Sequence, residues 1–179
     1  DLLYWNSDST RMPARMHSEY LRAMYLENRF KDPGGMMLGG VPIDIASVKT
    51  SCYFLSACED HIAPWRSTFA GAGLFKGPVR FVLSGSGHIA GVVNPPDAKK
   101  YGYRTSRSRP RGDAETWLES ATIKEGSWWP NWQQWVSKFT GTKVKGRKPG
   151  AKKAFPVLED APGSYARKRL DEENLKQTA

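Results

Sequence analysis

The amino-acid sequence predicts an α/β fold, and three observations carry that expectation. Two apolar runs, Cys52-Tyr53-Phe54-Leu55 and Val79-Arg80-Phe81-Val82-Leu83, each end in a turn signal, Glu59-Asp60 and Ser84-Gly85-Ser86-Gly87. That is the pattern of buried strands. Between them, Pro64 to Leu74 has the length and composition of a short crossover helix. A strand-helix-strand unit joins parallel strands, so parallel strands with crossover helices are expected.

The remaining elements follow in chain order. Ala14 to Phe30 carries Met16, Tyr20 and Met24 at helical spacing, with Glu27 and Arg29 for solvent, and stops before Asp32-Pro33-Gly34-Gly35. This predicts an amphipathic helix. Met36-Met37-Leu38 is a further short apolar run, closed by Gly39-Gly40. Beyond the central unit, Asp113 to Lys124 is expected to be helical, with Ala114, Trp117, Leu118 and Ala121 on one face. Another helix follows, using Trp128, Trp132 and Trp135, or Trp129, Trp132 and Val136, at three- and four-residue spacing. From Thr140 the chain becomes Gly/Lys-rich and passes through Pro156 and Pro162 to a charged end, for which no fold is expected. There is no internal repeat.

The 179 residues suffice for one compact domain with a hydrophobic core. A start on Asp1, followed by Leu2-Leu3-Tyr4-Trp5, reads as a piece of something longer. The net charge of +9 calls for an anionic partner, whether nucleic acid, an anionic membrane or a phosphate-bearing small molecule. The cations concentrate in Lys99 to Arg111 and Lys143 to Lys153, which read as solvated, flexible segments. Cys52 and Cys58 show neither a disulfide framework nor metal-ligand spacing. No apolar run approaches the roughly 20 residues needed to span a bilayer, so a soluble, cytoplasmic protein without a transmembrane segment is expected.

Asp60 and His88 each fall just after a predicted strand. In α/β sheets, ligands bind at the carboxyl ends of the strands, so both side chains are expected on one rim. Acid followed by His is the order in which α/β-hydrolases present the last two members of a catalytic triad. There the carboxylate fixes the imidazole tautomer, and the neutral imidazole takes a proton from a thiol or hydroxyl. The alternative is structural: Asp60 caps the helix at Pro64, and His88 is held in a Gly-rich turn.

Four blocks carry a more specific signal: Leu2-Leu3-Tyr4-Trp5-Asn6-Ser7-Asp8, Glu59-Asp60-His61-Ile62-Ala63-Pro64-Trp65, Gly87-His88-Ile89-Ala90-Gly91-Val92-Val93-Asn94-Pro95-Pro96 and Gly126-Ser127-Trp128-Trp129-Pro130-Asn131-Trp132. In this order and spacing, the chain resembles the carboxy-terminal region of the polyhydroxyalkanoate synthases. The opening and Trp-rich blocks are most similar to the synthases that act alone on short-chain 3-hydroxyacyl-CoA.

The resemblance implies the carboxy-terminal portion of an α/β-hydrolase fold with an incomplete sheet. Residues 1–140 would be part of the catalytic domain, with 1–35 as a lid or cap-like region, and 141–179 a basic, flexible tail. It implies Asp60 as catalytic acid and His88 as catalytic base of a Cys-His-Asp site. The family's nucleophile, a Cys in an upstream Gly-x-Cys-x-Gly elbow, has no counterpart here, and Cys58 stands where the family commonly has Arg. The implied activity is acyl transfer: a thiolate takes the acyl group from 3-hydroxyacyl-CoA, releases coenzyme A and extends a polyester. No cofactor is implied beyond that thioester substrate. The implied partners are the growing polyester, a second copy in the full-length protein and the polymer granule surface in the cytoplasm. Tyr4 and Trp5 are implied at the acyl-CoA entry path, with core packing as their alternative. His61 either reaches the site or caps the following helix. An esterase or lipase would use the same Asp60 and His88, and the basic balance leaves a nucleic-acid-binding module as a competing class. Against that module, the tryptophans sit at core-like spacing and no nucleic-acid motif is present.

Overall fold

The computed structural model describes residues 6–7, 9–148, 150 and 153–166. The chain divides into two units, Pro13–Gly141 and the paired terminal stretches Asp1–Met12 and Thr142–Ala179. Tyr4 and Trp5 lie outside the described residues.

The larger unit is built on a four-stranded sheet in the order β3-β4-β5-β6: β3 is Cys52–Ala57, β4 Val79–Ser84, β5 Tyr103–Thr105 and β6 Thr122–Lys124. Ahead of it, β1 (Met36–Leu38) and β2 (Val41–Ile43) form an antiparallel hairpin. The two-residue loop Gly39-Gly40 has φ of 57° and 80°, the backbone that a tight hairpin turn requires and that glycine adopts without strain.

β3 and β4 run parallel, with Phe54 opposite Phe81 and Leu55 opposite Val82. Helix Trp65–Leu74 crosses between them, as expected. The expectation of parallel strands is corrected beyond that pair, because β5 and β6 are antiparallel to their neighbours. Parallel pairing needs a long crossover that carries the chain back along the sheet. After Ser84 the chain makes only a short helix, Ala90–Val93, and a tight turn, Pro96–Ala98, before re-entering as β5. The sheet is therefore mixed. β5 also corrects the reading of Lys99 to Arg111 as a free loop: Tyr103–Thr105 is half-buried in the sheet, and Pro110 is fully buried.

The core lies on one face of the sheet. In order along the chain, the helices are α1 (Ala14–Tyr20), α2 (Trp65–Leu74), α3 (Ala90–Val93), α4 (Ala114–Ser120) and α5 (Trp129–Val136). Trp65, Phe69 and Ala72 of α2 pack with Phe81 and Leu83 of β4 and with Trp117 of α4. The Phe69, Phe81 and Trp117 rings meet at 5.1–5.5 Å in edge and tilted arrangements, the geometry that aromatic quadrupoles favour. Removing a ring such as Phe81 from water contributes about 2 kcal/mol. Asp113 caps α4 by accepting from the Thr116 N–H at 2.8 Å, and this lowers its carboxyl below the usual range. The helix ends at Ser120, four residues short of the expectation, and Thr122–Lys124 pairs with β5 instead.

Alternate residues of β3 and β4 point the other way. On that face Tyr53 packs against Trp128 and Trp135 of the α5 region, and its hydroxyl donates to Asn131. Burial raises the Tyr53 phenol above its ordinary value.

The helix expected over Ala14 to Phe30 is also corrected. α1 ends at Tyr20, widens into a π-helical segment over Leu21–Leu26, and stops at Asn28, whose φ of 50° is left-handed. Among the described residues of the terminal unit, Glu159 accepts from the Ser164 N–H and hydroxyl at 2.7 and 2.8 Å, ahead of a short helix, α6 (Gly163–Ala166). No helix of the described residues is long and apolar enough to cross a membrane.

Candidate active site

Asp60 follows β3 in a tight turn. Its Oδ1 accepts from the N–H groups of Ile62 and Ala63, both at 2.9 Å, which leads the chain into α2 at Trp65. Its Oδ2 lies 2.8 Å from Nδ1 of His88. Asp60 does not cap the helix itself, whose N-cap Pro64 position has no side-chain bond: one oxygen organises the turn before the helix, and the other holds the histidine.

These bonds all favour the carboxylate. The Ala63 N–H, then the His88 ring, pull the Asp60 pKa down to about 2, against a smaller opposing effect of burial. An ionised carboxylate can only accept, so Nδ1 of His88 must be the donor. In the neutral ring this leaves Nε2 with the free lone pair, ready to take a proton. The Asp60 side chain is 6% exposed and that of His88 45%: the acid is covered and the base is open.

The loop that carries His88 is shaped by close backbone approaches. Gly85 donates to the Gly102 carbonyl at 2.8 Å, and Ser86 takes the left-handed φ of 64°. The tightest position is Gly91, where a Cβ would collide with the Gly85 carbonyl and press on Ala57. The fully buried Ser84 donates from Oγ to the Gly91 carbonyl at 2.7 Å. The glycines on both sides of His88 are legible in the sequence as sites of close backbone approach; Ser84 is not. The signal available was a serine ending a strand, with a glycine seven residues on, and that is common to many loops.

His61 does not join the pair. It is exposed, with no hydrogen bond or ion pair among the described residues. Cys58 is exposed at the end of β3, where its N–H donates to Ser84 and its thiol lies 3.9 Å from the Ser86 carbonyl. A cleft of about 480 Å³ lined by Cys58, Trp65, Arg66, Ser84, Tyr103 and Arg104 opens on the α2 side of the strand ends, without Asp60 or His88 in its wall. Exposed Ile62 and Ile89 flank the pair instead. No three His, Cys, Asp or Glu side chains converge as a metal site among the described residues.

No protein-family model matches the chain. Individual relatives do. Over 169 residues it is 54% identical to the "Poly(3-hydroxyalkanoate) polymerase subunit PhaC" of Rhizobium meliloti, an alignment covering 94% of this chain and 27% of the relative. The chain is homologous to part of the poly(3-hydroxyalkanoate) polymerases. The polymerase of Methylorubrum extorquens is 51% identical over 168 residues, covering 93% of this chain and 27% of its own length. The PhaC polymerase subunit of Cupriavidus necator is 40% identical over 167 residues, covering 93% and 28%. The chain thus spans little more than a quarter of the length of these curated polymerases.

Proposed function

We propose that this chain supplies the acid and base of a thioester-dependent polymerising acyltransferase, as the carboxy-terminal portion of an α/β-hydrolase-type catalytic domain. The observation that carries the reading is the Asp60–His88 pair, 2.8 Å apart at the ends of two parallel strands, in a chain 54% identical to part of a polymerase.

In this reading, Asp60 holds His88 as the Nδ1–H tautomer. Nε2 then removes the proton of a cysteine thiol supplied from outside this chain. The thiolate attacks the carbonyl of a 3-hydroxyacyl-CoA, coenzyme A leaves as the thiol after taking up the proton, and the acyl group stays on the cysteine. A 3-hydroxyl group next attacks that thioester, losing its proton to His88; the C–S bond breaks, the cysteine leaves and takes that proton back, and the polyester grows by one unit. The reaction needs no cofactor besides its thioester substrate. Exposed Ile62 and Ile89 beside the pair suit an apolar product. Tyr4 and Trp5 would belong to the acyl-CoA entry path, with residues 1–35 as a cap. The whole protein would act as a dimer at the polymer granule surface. By itself the chain would be inactive, since the His88 ring lies open and neither cysteine here sits in a nucleophile elbow.

The test is to transplant the chain into the homologous stretch of the Rhizobium meliloti polymerase and follow thiol release from 3-hydroxybutyryl-CoA. The expected result is release by the chimera, a loss of about a thousandfold or more in His88→Ala, a large loss in Asp60→Asn, and none from the chain alone. Release unaffected by His88→Ala would overturn the proposal.

A further inference from the structure

The helix that follows His88 cannot hold itself. α3 is four residues long, Ala90–Val93, and an isolated single turn is far below the length at which helices are stable in water. The backbone bonds around it use the carbonyls of Gly87, Ile89 and Ala90 as acceptors. The next three, of Gly91, Val92 and Val93, are the orphans expected at a helix C-terminus. Each accepts from a side chain outside the helix. Ser84 Oγ reaches Gly91 at 2.7 Å, Trp128 Nε1 reaches Val92 at 3.0 Å, and Trp129 Nε1 reaches Val93 at 3.0 Å.

The two indoles act as one block. Their rings stack at 4.5 Å between centroids with 23° between planes, which aligns the two N–H groups on consecutive carbonyls. The block is anchored on the strand that delivers the acid. Trp128 is buried and packs on Tyr53 of β3, whose hydroxyl bonds Asn131, while Ser127 Oγ accepts from the Trp129 N–H. One aromatic block therefore touches both β3, which ends three residues before Asp60, and α3, which begins two residues after His88.

We infer that Trp128 and Trp129 are positioning residues for His88: their indole N–H groups cap α3 and hold the imidazole in register with the Asp60 carboxylate. The link to turnover rests on the function proposed above, whereas the link to His88 geometry does not.

The test removes only the N–H. Trp128 and Trp129 are each replaced by β-(3-benzothienyl)alanine, which keeps the fused ring and puts sulfur in place of N–H, with the same change at Trp132 as a control. The chain has three histidines, so ring-15N labelling resolves them in the intact chain. The Nδ1–H signal of His88 is assigned by its loss in Asp60→Asn. At either position the replacement is expected to shift the His88 ring signals and to speed exchange of Nδ1–H with water by about fivefold. His17 and His61 stay unchanged, and the Trp132 control leaves all three in place. His88 signals unmoved by both replacements would overturn the inference. In the transplanted polymerase, each replacement is expected to lower kcat about tenfold with KM within about twofold. An unchanged kcat alongside a shifted His88 signal would overturn the role in turnover. A chimera inactive without any replacement would count against the proposed function and leave the NMR result to decide the geometry.

Discussion

Two helical segments with similar apolar spacing behave differently in this molecule. α2 presents Trp65, Phe69 and Ala72 to the sheet and buries all three. The segment from Ala14 to Leu26 carries Met16, Tyr20 and Met24 at the same kind of interval, yet Met16 is 58% exposed, Tyr20 39%, and Ala23 alone among its residues is buried. Periodicity predicts that a helix has an apolar face; it does not say that a partner for that face lies in the same chain. α2 has its partner because the crossover that forms it also lays it on Phe81 and Leu83. α1 has no such partner among the described residues, and its continuation as a π-helical segment redirects the side chains.

The contrast is sharpest in stability. Phe69→Ala, which empties a 2%-exposed position between Phe81 and Trp117, is expected to cost about 3–5 kcal/mol, read from urea unfolding by far-UV circular dichroism. A cost below about 1 kcal/mol would mean that the α2 face is no better packed than the α1 face.

A smaller effect is expected at the turn that leads into α2, and it depends on pH. The Asp60 carboxyl titrates near 2 in the folded chain, against an ordinary value of 3.8. Its contribution to stability is therefore fully present above about pH 4–5 and is lost as pH falls through about 2. Urea midpoints of the wild-type chain and Asp60→Asn should differ at pH 7, converge between about pH 4 and 2, and coincide below. A gap that persists unchanged at pH 2 would show that the carboxylate charge is not what holds the turn. The smallest effect is expected at α1, where Met16→Ala should shift stability by no more than about 0.5 kcal/mol. A larger loss would show that the exposed stripe is covered in solution.

The same contrast explains what was legible in the sequence. β3 and β4 were readable because each is a mostly apolar run closed by a turn signal, α2 because a segment of crossover length lies between them, and strand-end placement singled out Asp60 and His88 together. β5 was hidden: it is three residues long, half-buried, and contains Arg104 within a cationic stretch. β6 was hidden because Thr122–Lys124 is exposed throughout and continues the helical spacing of α4 without a break. Its strand character comes from pairing with β5, which local sequence does not encode. The Trp-rich block was recognisable as a helix, while its bonds to the α3 carbonyls left no trace in local pattern, because donor and acceptor are 36 residues apart.

That separation bears on the order in which the molecule assembles. The hairpin β1–β2 closes across two glycines and can form within microseconds. The Asp60–His88 bond spans 28 residues and the indole bonds 36. Each such closure costs chain entropy that is repaid only once β3 and β4 are already side by side. Asp60 and His88 are therefore expected to meet only after the parallel pair has formed, which makes their bond a property of the assembled sheet and not of either loop alone.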